Sequence, residues 1–141
     1  MNWTAQRLTL WVDGASRGNP GPAGIGAVIE ADGTARRLEL FEYIGETTNN
    51  VAEYRALLLA LAEAEKLAPA SITVRSDSEL LVRQLNGEYK VKSPLLRPLF
   101  LDAVRRLRRF PSARILHVGR EENAQADLLA NRAIDDHFKG V

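Results

Sequence analysis

Apolar and polar residues alternate near the start of the chain. Leu8, Leu10 and Val12 interleave with Thr9, Trp11 and Asp13, the period of two that marks a strand with unlike faces. Gly14 to Gly24 carries four glycines and two prolines and reads as a turn or loop. Gly24 to Ile29 reads as a second strand, Ala31-Asp32-Gly33-Thr34 as a hairpin signal, and Arg37 to Ile44 as a third, less regular strand. These three predict an antiparallel meander.

The period changes after Thr47-Thr48-Asn49-Asn50. Val51, Tyr54, Leu57, Leu58, Leu61 and Ala68 recur at helical spacing, with Asn49 or Asn50 as the expected cap. Ile72 to Ser76 reads as a short strand ending at Asp77, and Ser78 to Asn86 as a helix stopped by Gly87. Pro94 to Phe110 predicts another helix, with Leu96, Leu99, Phe100, Val104 and Leu107 on one side. Ala113 to Val118 is a last strand, apolar on both faces and therefore expected to be central. Asn123 is expected to cap a final helix carrying Leu128, Leu129, Ala133 and Ile134. The order β-β-β-α-β-α-α-β-α predicts an α/β (α+β) fold, a five-stranded mixed sheet flanked by helices.

Composition narrows the function classes. A length of 141 residues suits one domain, 1–141, and 45% hydrophobic with 26% charged residues excludes disordered and fibrous classes. A net charge of +1 means that any nucleic-acid contact comes from local clustering of charge. With no cysteine, disulfides, thiolate zinc sites and thiol nucleophiles are excluded. No run of 18 apolar residues predicts a membrane span, and Met1 to Arg7 lacks the apolar stretch of a signal peptide, so a cytoplasmic location is expected.

Four carboxylates stand out by position. Asp13 ends the first strand, Glu53 lies in the first turn of the first helix, Asp77 ends the fourth strand, and Asp127 lies near the start of the last helix. Singly, each has an ordinary reading. Acidic residues favour helix N-termini, Asp77 could cap the next helix, and Asp13 before Gly14 could be a turn residue. If neighbouring strands and both helices end at one sheet edge, the four meet. Packed like charges cost free energy and raise pKa values, so such a cluster suits a divalent cation. All-oxygen ligands favour Mg2+ or Mn2+, and two such ions roughly 3.5–4 Å apart suit in-line attack on phosphorus.

Four blocks of the chain resemble the type-1 ribonuclease H family. They are Val12-Asp13-Gly14-Ala15-Ser16-Arg17-Gly18-Asn19-Pro20-Gly21-Pro22-Ala23-Gly24, Thr47 to Glu53, Ser76-Asp77-Ser78, and Asn123 to Ala130. They occur in the family's order and spacing across nearly the whole chain. The resemblance implies a two-metal endonuclease that hydrolyses the RNA strand of RNA–DNA hybrids, leaving 3′-hydroxyl and 5′-phosphate ends. It implies that Asp13, Glu53, Asp77 and Asp127 bind the metals, and that Gly14, Ser16, Asn19, Asn49 and Asn50 line the hybrid's minor groove, where 2′-hydroxyls mark RNA. For the glycines turn geometry is the plain alternative, and for the asparagines helix capping.

Three departures from the family pattern matter. Asn86 to Pro94 bridges the place where some members insert a basic helix, so the chain resembles the compact branch of archaea and many bacteria. Glu79 stands where some members have Gln. The loop before Asp127 is shortened, so that Gly119-Arg120 falls at the usual Gly-His position. His117 has the spacing of that histidine but reads as part of the last strand, which makes Arg120 the expected auxiliary catalytic residue. Arg105-Arg106-Leu107-Arg108-Arg109 is a second basic cluster, as readily a solvated helix face as a nucleic-acid grip. Two alternatives to a hybrid-cutting monomer stay open: a non-catalytic binding module of the same fold, and a nuclease that also cuts double-stranded RNA.

Overall fold

The computed structural model of the chain describes residues 7–139; the signal-peptide reading rests on the start of the chain, and its residues 1–6 lie outside that range. The elements run β1 (Arg7–Ser16), β2 (Gly21–Ala31), β3 (Arg37–Thr47), α1 (Asn49–Lys66), β4 (Ser71–Ser76), α2 (Glu79–Leu85), α3 (Arg97–Leu107), β5 (Ala113–His117) and α4 (Ala124–Phe138). Their order agrees with the sequence pattern. The strands form one mixed sheet in the order β3-β2-β1-β4-β5, antiparallel across β1–β2 and β2–β3 and parallel across β1–β4 and β4–β5.

The sheet is covered unequally. Leu8, Leu10 and Val12 are buried with Ile25, Ala27, Ile29, Ile72 and Val74 in one core, closed by Leu57 and Leu61 of α1. Each fully buried aliphatic side chain contributes roughly 1.5–3 kcal/mol. α3 packs outside α1, and α4 packs across β2, β3 and β1. α1 and α4 lie on opposite faces, because Gly14 meets α1 whereas Gly26, paired with Asp13, meets α4.

Several expectations need correction. The glycine-rich stretch from Gly14 to Gly24 is mostly strand: β1 continues to Ser16 and β2 begins at Gly21, leaving a tight turn closed by the Arg17 N–H donating to the Pro22 carbonyl at 2.8 Å. Turn-forming composition misled here because two of those glycines are needed for close packing against helices. β5 is an edge strand and not central, and of its five residues only Ile115 is buried. It is joined through α2 and α3 and adds outside β4, and the helix α4 packs mainly on the other side of the sheet's centre.

The helix boundaries also shift. Thr48, rather than Asn49 or Asn50, caps α1, accepting from the Val51 N–H at 3.2 Å. Glu53 is therefore the fifth residue of α1 and lies beyond its first turn. Pro94 to Leu96 forms a turn before α3 and not its first residues. Asn123 precedes α4 without a side-chain cap bond; its Nδ2 donates to the β1 backbone, and its Oδ1 is buried without a hydrogen-bond partner. Among the described residues, no helix is long and apolar enough to cross a membrane.

Candidate active site

β1 and β4 run side by side, and their last paired residues are Val12 and Ser76. Asp13 and Asp77 follow directly, so two neighbouring parallel strands each deliver a carboxylate at the same end. Ser78 takes over the capping of α2, accepting from the Leu81 N–H at 3.2 Å. Asp77 is thereby excluded as the cap of α2.

Glu53 arrives from α1 through a backbone approach that only glycine permits. A Cβ on Gly14 would lie 2.3 Å from the Ala52 carbonyl carbon and 2.5 Å from the Glu53 nitrogen. With none there, the Gly14 N–H donates to Glu53 Oε1 at 2.8 Å. Gly14 is thus needed for close packing, and turn geometry is the wrong reading of it. On the other face, a Cβ on Gly26 would lie 2.5 Å from the Ala126 carbonyl oxygen, so α4 also sits against bare strand backbone. Asn123 locks this end of α4: its Nδ2 donates to the Val12 carbonyl at 2.9 Å, one residue from Asp13, and its own carbonyl accepts from the Asp127 N–H at 3.1 Å.

Carboxylate oxygens of Asp13, Glu53 and Asp77 lie within 4.8 Å of one another. Asp13 and Glu53 are only 4% and 5% exposed, which leaves little solvent to screen them. Burial pushes the Asp13 carboxyl up to about 10, helped by the charges of Glu53, Asp77 and Asp127. Burial likewise raises Glu53 to about 8, while the Gly14 N–H and the Arg120 charge pull it back down. Repulsion of this kind, among oxygen donors alone, is relieved by a hard divalent cation, and the donor set fits one.

The four carboxylates and Arg120 line one cleft of about 320 Å3, together with Gly14, Ser16 and Asn49. Arg120 is exposed on the turn between β5 and α4, and its charge acts on Glu53. His117 ends β5, within the sheet, and does not line that cleft. Asn19 stands beside the cleft: its Oδ1 accepts from the Asn49 N–H at 3.0 Å. Asn50 is exposed on the first turn of α1 and does not line the cleft. Ala15 and Ala124 also line it and were missed, because small apolar residues carry no chemical signal in a sequence. Asn123 reads in the sequence as a helix cap, and its anchoring role depends on contacts remote in sequence.

A family model described as reverse transcriptase-like matches residues 11–133. The RNase H1 of Halobacterium salinarum is 42% identical in its crystal structure, which superposes with a TM-score of 0.89 over 92% of this chain and 98% of that one. LC11-RNase H1, solved in complex with an RNA/DNA hybrid, is 47% identical with a TM-score of 0.86 over 93% of this chain and 99% of that one. The chain belongs to the type-1 ribonuclease H family. A bifunctional protein of Mycobacterium tuberculosis is 44% identical over 92% of this chain, which spans only 36% of that relative's length.

As a type-1 ribonuclease H, the chain joins α2 to α3 without an intervening helix, so the basic insertion is absent between them. Its arginine cluster at and just beyond the end of α3 is largely paired within the fold: Arg105 and Arg106 with Asp102, and Arg109 with Glu65 at 3.3 Å. That pairing favours the solvated-face reading. Glu79 is occupied by Arg83 at 2.8 Å.

Proposed function

We propose that this chain is an endoribonuclease that hydrolyses the RNA strand of RNA–DNA hybrids, leaving 3′-hydroxyl and 5′-phosphate ends, that its residues 1–141 form one ribonuclease H domain, and that it acts as a cytoplasmic monomer. The observation that carries this reading is the meeting of four carboxylates and Arg120 in one cleft beside Ser16 and Asn49. The hybrid bound by LC11-RNase H1, a relative 47% identical, supports the same substrate.

Asp13, Glu53, Asp77 and Asp127 would hold two Mg2+ ions, with Mn2+ as a substitute. Such ions, when bound, supply an activated water and neutralise charge at the leaving 3′-oxygen. Burial of Asp13 and Glu53 excludes bulk water and keeps their field strong. A guanidinium only donates hydrogen bonds, so Arg120 serves as a donor to the scissile phosphate and not as a base. Gly14, Ser16, Asn19, Asn49 and Asn50 form the minor-groove contact. Asn19 spends its oxygen on Asn49, so its amide N–H2 is the group left to meet a 2′-hydroxyl.

One gel tests this reading: labelled hybrid, double-stranded RNA, double-stranded DNA and single-stranded RNA, each with Mg2+, Mn2+ or EDTA. The hybrid should be cut with either ion and left intact in EDTA. Binding of hybrid without cleavage in any ion would make the chain a binding module. Equal cutting of double-stranded DNA would make it a different nuclease, and cutting of double-stranded RNA would widen its substrate range.

A further inference from the structure

Asp127 differs from the other carboxylates in being exposed, yet a chain of polar contacts reaches it from the turn between β1 and β2. Asn131 lies one turn further along α4. Its Nδ2 donates to the Asp127 carbonyl at 3.1 Å and approaches Asp127 Oδ1 at 3.4 Å. Arg17, in the turn between β1 and β2, grips the same asparagine. One guanidinium nitrogen donates to Asn131 Oδ1 and to its carbonyl oxygen, each at 3.3 Å, and the other pairs with Asp135 at 2.8 Å.

We infer that Asn131 is a positioning residue for Asp127, and that Arg17 sets which end of the Asn131 amide faces that carboxylate. The inference rests on the metal-binding role proposed for Asp127. The two ends of an asparagine amide have nearly the same shape and opposite hydrogen-bonding character. Turned one way, the amide gives Asp127 a donor. Turned the other way, it gives a repelling oxygen. A guanidinium can only donate, so Arg17 draws Oδ1 toward itself and leaves Nδ2 for Asp127. Lysine would not replace it, because one fork must reach Asn131 and Asp135 together. The turn that carries Arg17 also carries Asn19 and follows directly on Ser16, the last residue of β1, so α4 and the proposed groove contacts share one anchor.

Outer partners of metal ligands act mainly through ligand orientation, and their loss weakens metal binding by roughly 10–100-fold. The test is Mn2+ binding to the whole metal-free chain, read by water-proton relaxation, with hybrid cleavage against Mg2+ concentration run in parallel. Asn131→Ala should weaken Mn2+ binding by about tenfold, at the lower end of that range because Asp127 is exposed. It should raise the Mg2+ needed for half-maximal cleavage by a similar factor and leave KM for the hybrid unchanged. Its melting temperature should stay within about 2 °C of wild type, as for a surface substitution.

Arg17→Ala discriminates by sign. Removing a positive charge near a cation site strengthens cation binding on Coulomb grounds alone, whereas loss of the anchor weakens it. We expect weaker binding, and the double variant should be no worse than Asn131→Ala alone. Unchanged Mn2+ affinity in Asn131→Ala, tighter binding in Arg17→Ala, or additive losses in the double variant would each overturn the inference. Wild-type protein that binds Mn2+ without cutting hybrid would count against the proposed activity while leaving this inference to the variants. Wild-type protein that binds no Mn2+ would overturn the inference and the metal-site reading together.

Discussion

Glu53 and Asp127 reach the same cleft from helices on opposite faces of the sheet, and they are held in opposite ways. Glu53 is buried, fixed by the Gly14 N–H and by direct contact of α1 with bare strand backbone. Asp127 is exposed on α4, with a side-chain amide beside it. Backbone contacts give Glu53 a precise position at a high electrostatic cost, since burial raises its pKa. Asp127 stands open to solvent, and its orientation is left to neighbouring polar groups. One cleft therefore combines a rigid half and an adjustable half.

The largest break in this comparison should come from Asp13, the neighbour common to both halves. Asp13→Asn should lose on the order of a thousandfold in cleavage rate, about 4 kcal/mol, while hybrid binding survives. Cleavage within tenfold of wild type, measured on one hybrid, would refute the assignment of the carboxylates.

Gly14→Ala attacks the rigid half alone. The new Cβ overlaps backbone that cannot rotate away, so α1 must move, at a cost of about 3 kcal/mol in urea unfolding. Cleavage should fall by about a hundredfold because Glu53 moves with the helix. Wild-type stability in this variant would contradict the close approach of α1 to β1.

Arg120→Ala tests how the two halves are joined at the mouth of the cleft. It should lower kcat by at least about tenfold, roughly 1.4 kcal/mol. His117→Ala should be milder and act through stability. The reverse ranking would return the auxiliary role to the histidine that simple spacing selects.

The smallest effect should be visible in pH dependence without metal. Asp13 and Glu53 have folded pKa values above their unfolded ones, near 4, so protons bind the folded state more tightly. Their contribution to stability is fully present below about pH 4, and it is lost as pH rises through about 8 for Glu53 and about 10 for Asp13. The melting temperature in EDTA should therefore fall between pH 6 and 10 more than Mg2+-loaded protein does, and Glu53→Gln should flatten the fall. A profile in EDTA that coincides with the Mg2+ profile would mean that the buried half is not strained by charge.

Element order, the meander and all four carboxylates were legible in the sequence because each rests on local information. Period two in β1 and helical spacing in α1 are properties of short windows, whereas Asp13, expected to end β1, lies three residues before its end at Ser16, and Glu53 lies beyond the first turn of α1. The packing role of Gly14 was not legible, because beside the groove contact that the resemblance implies a local reading offers only a turn, and its close approach is to a helix remote in the chain. The rank of β5 was misread for a related reason. Apolar residues on both faces are common to central strands and to an edge strand with one buried residue, and only the crossover decides between them.

By itself, the sequence determined which residues carry charge, which segments can be strand or helix, and which chemistry a set of oxygen ligands allows. Tertiary structure alone decided that Thr48 frees the asparagines from capping, that Asn123 ties α4 to β1, and that Arg17 meets Asn131 across 114 positions of chain. Propensity and period act over a few residues, so a sequence displays them directly. Close approach, amide orientation and burial of charge depend on which surfaces meet, and those meetings exist only once the sheet and its two helix layers have closed.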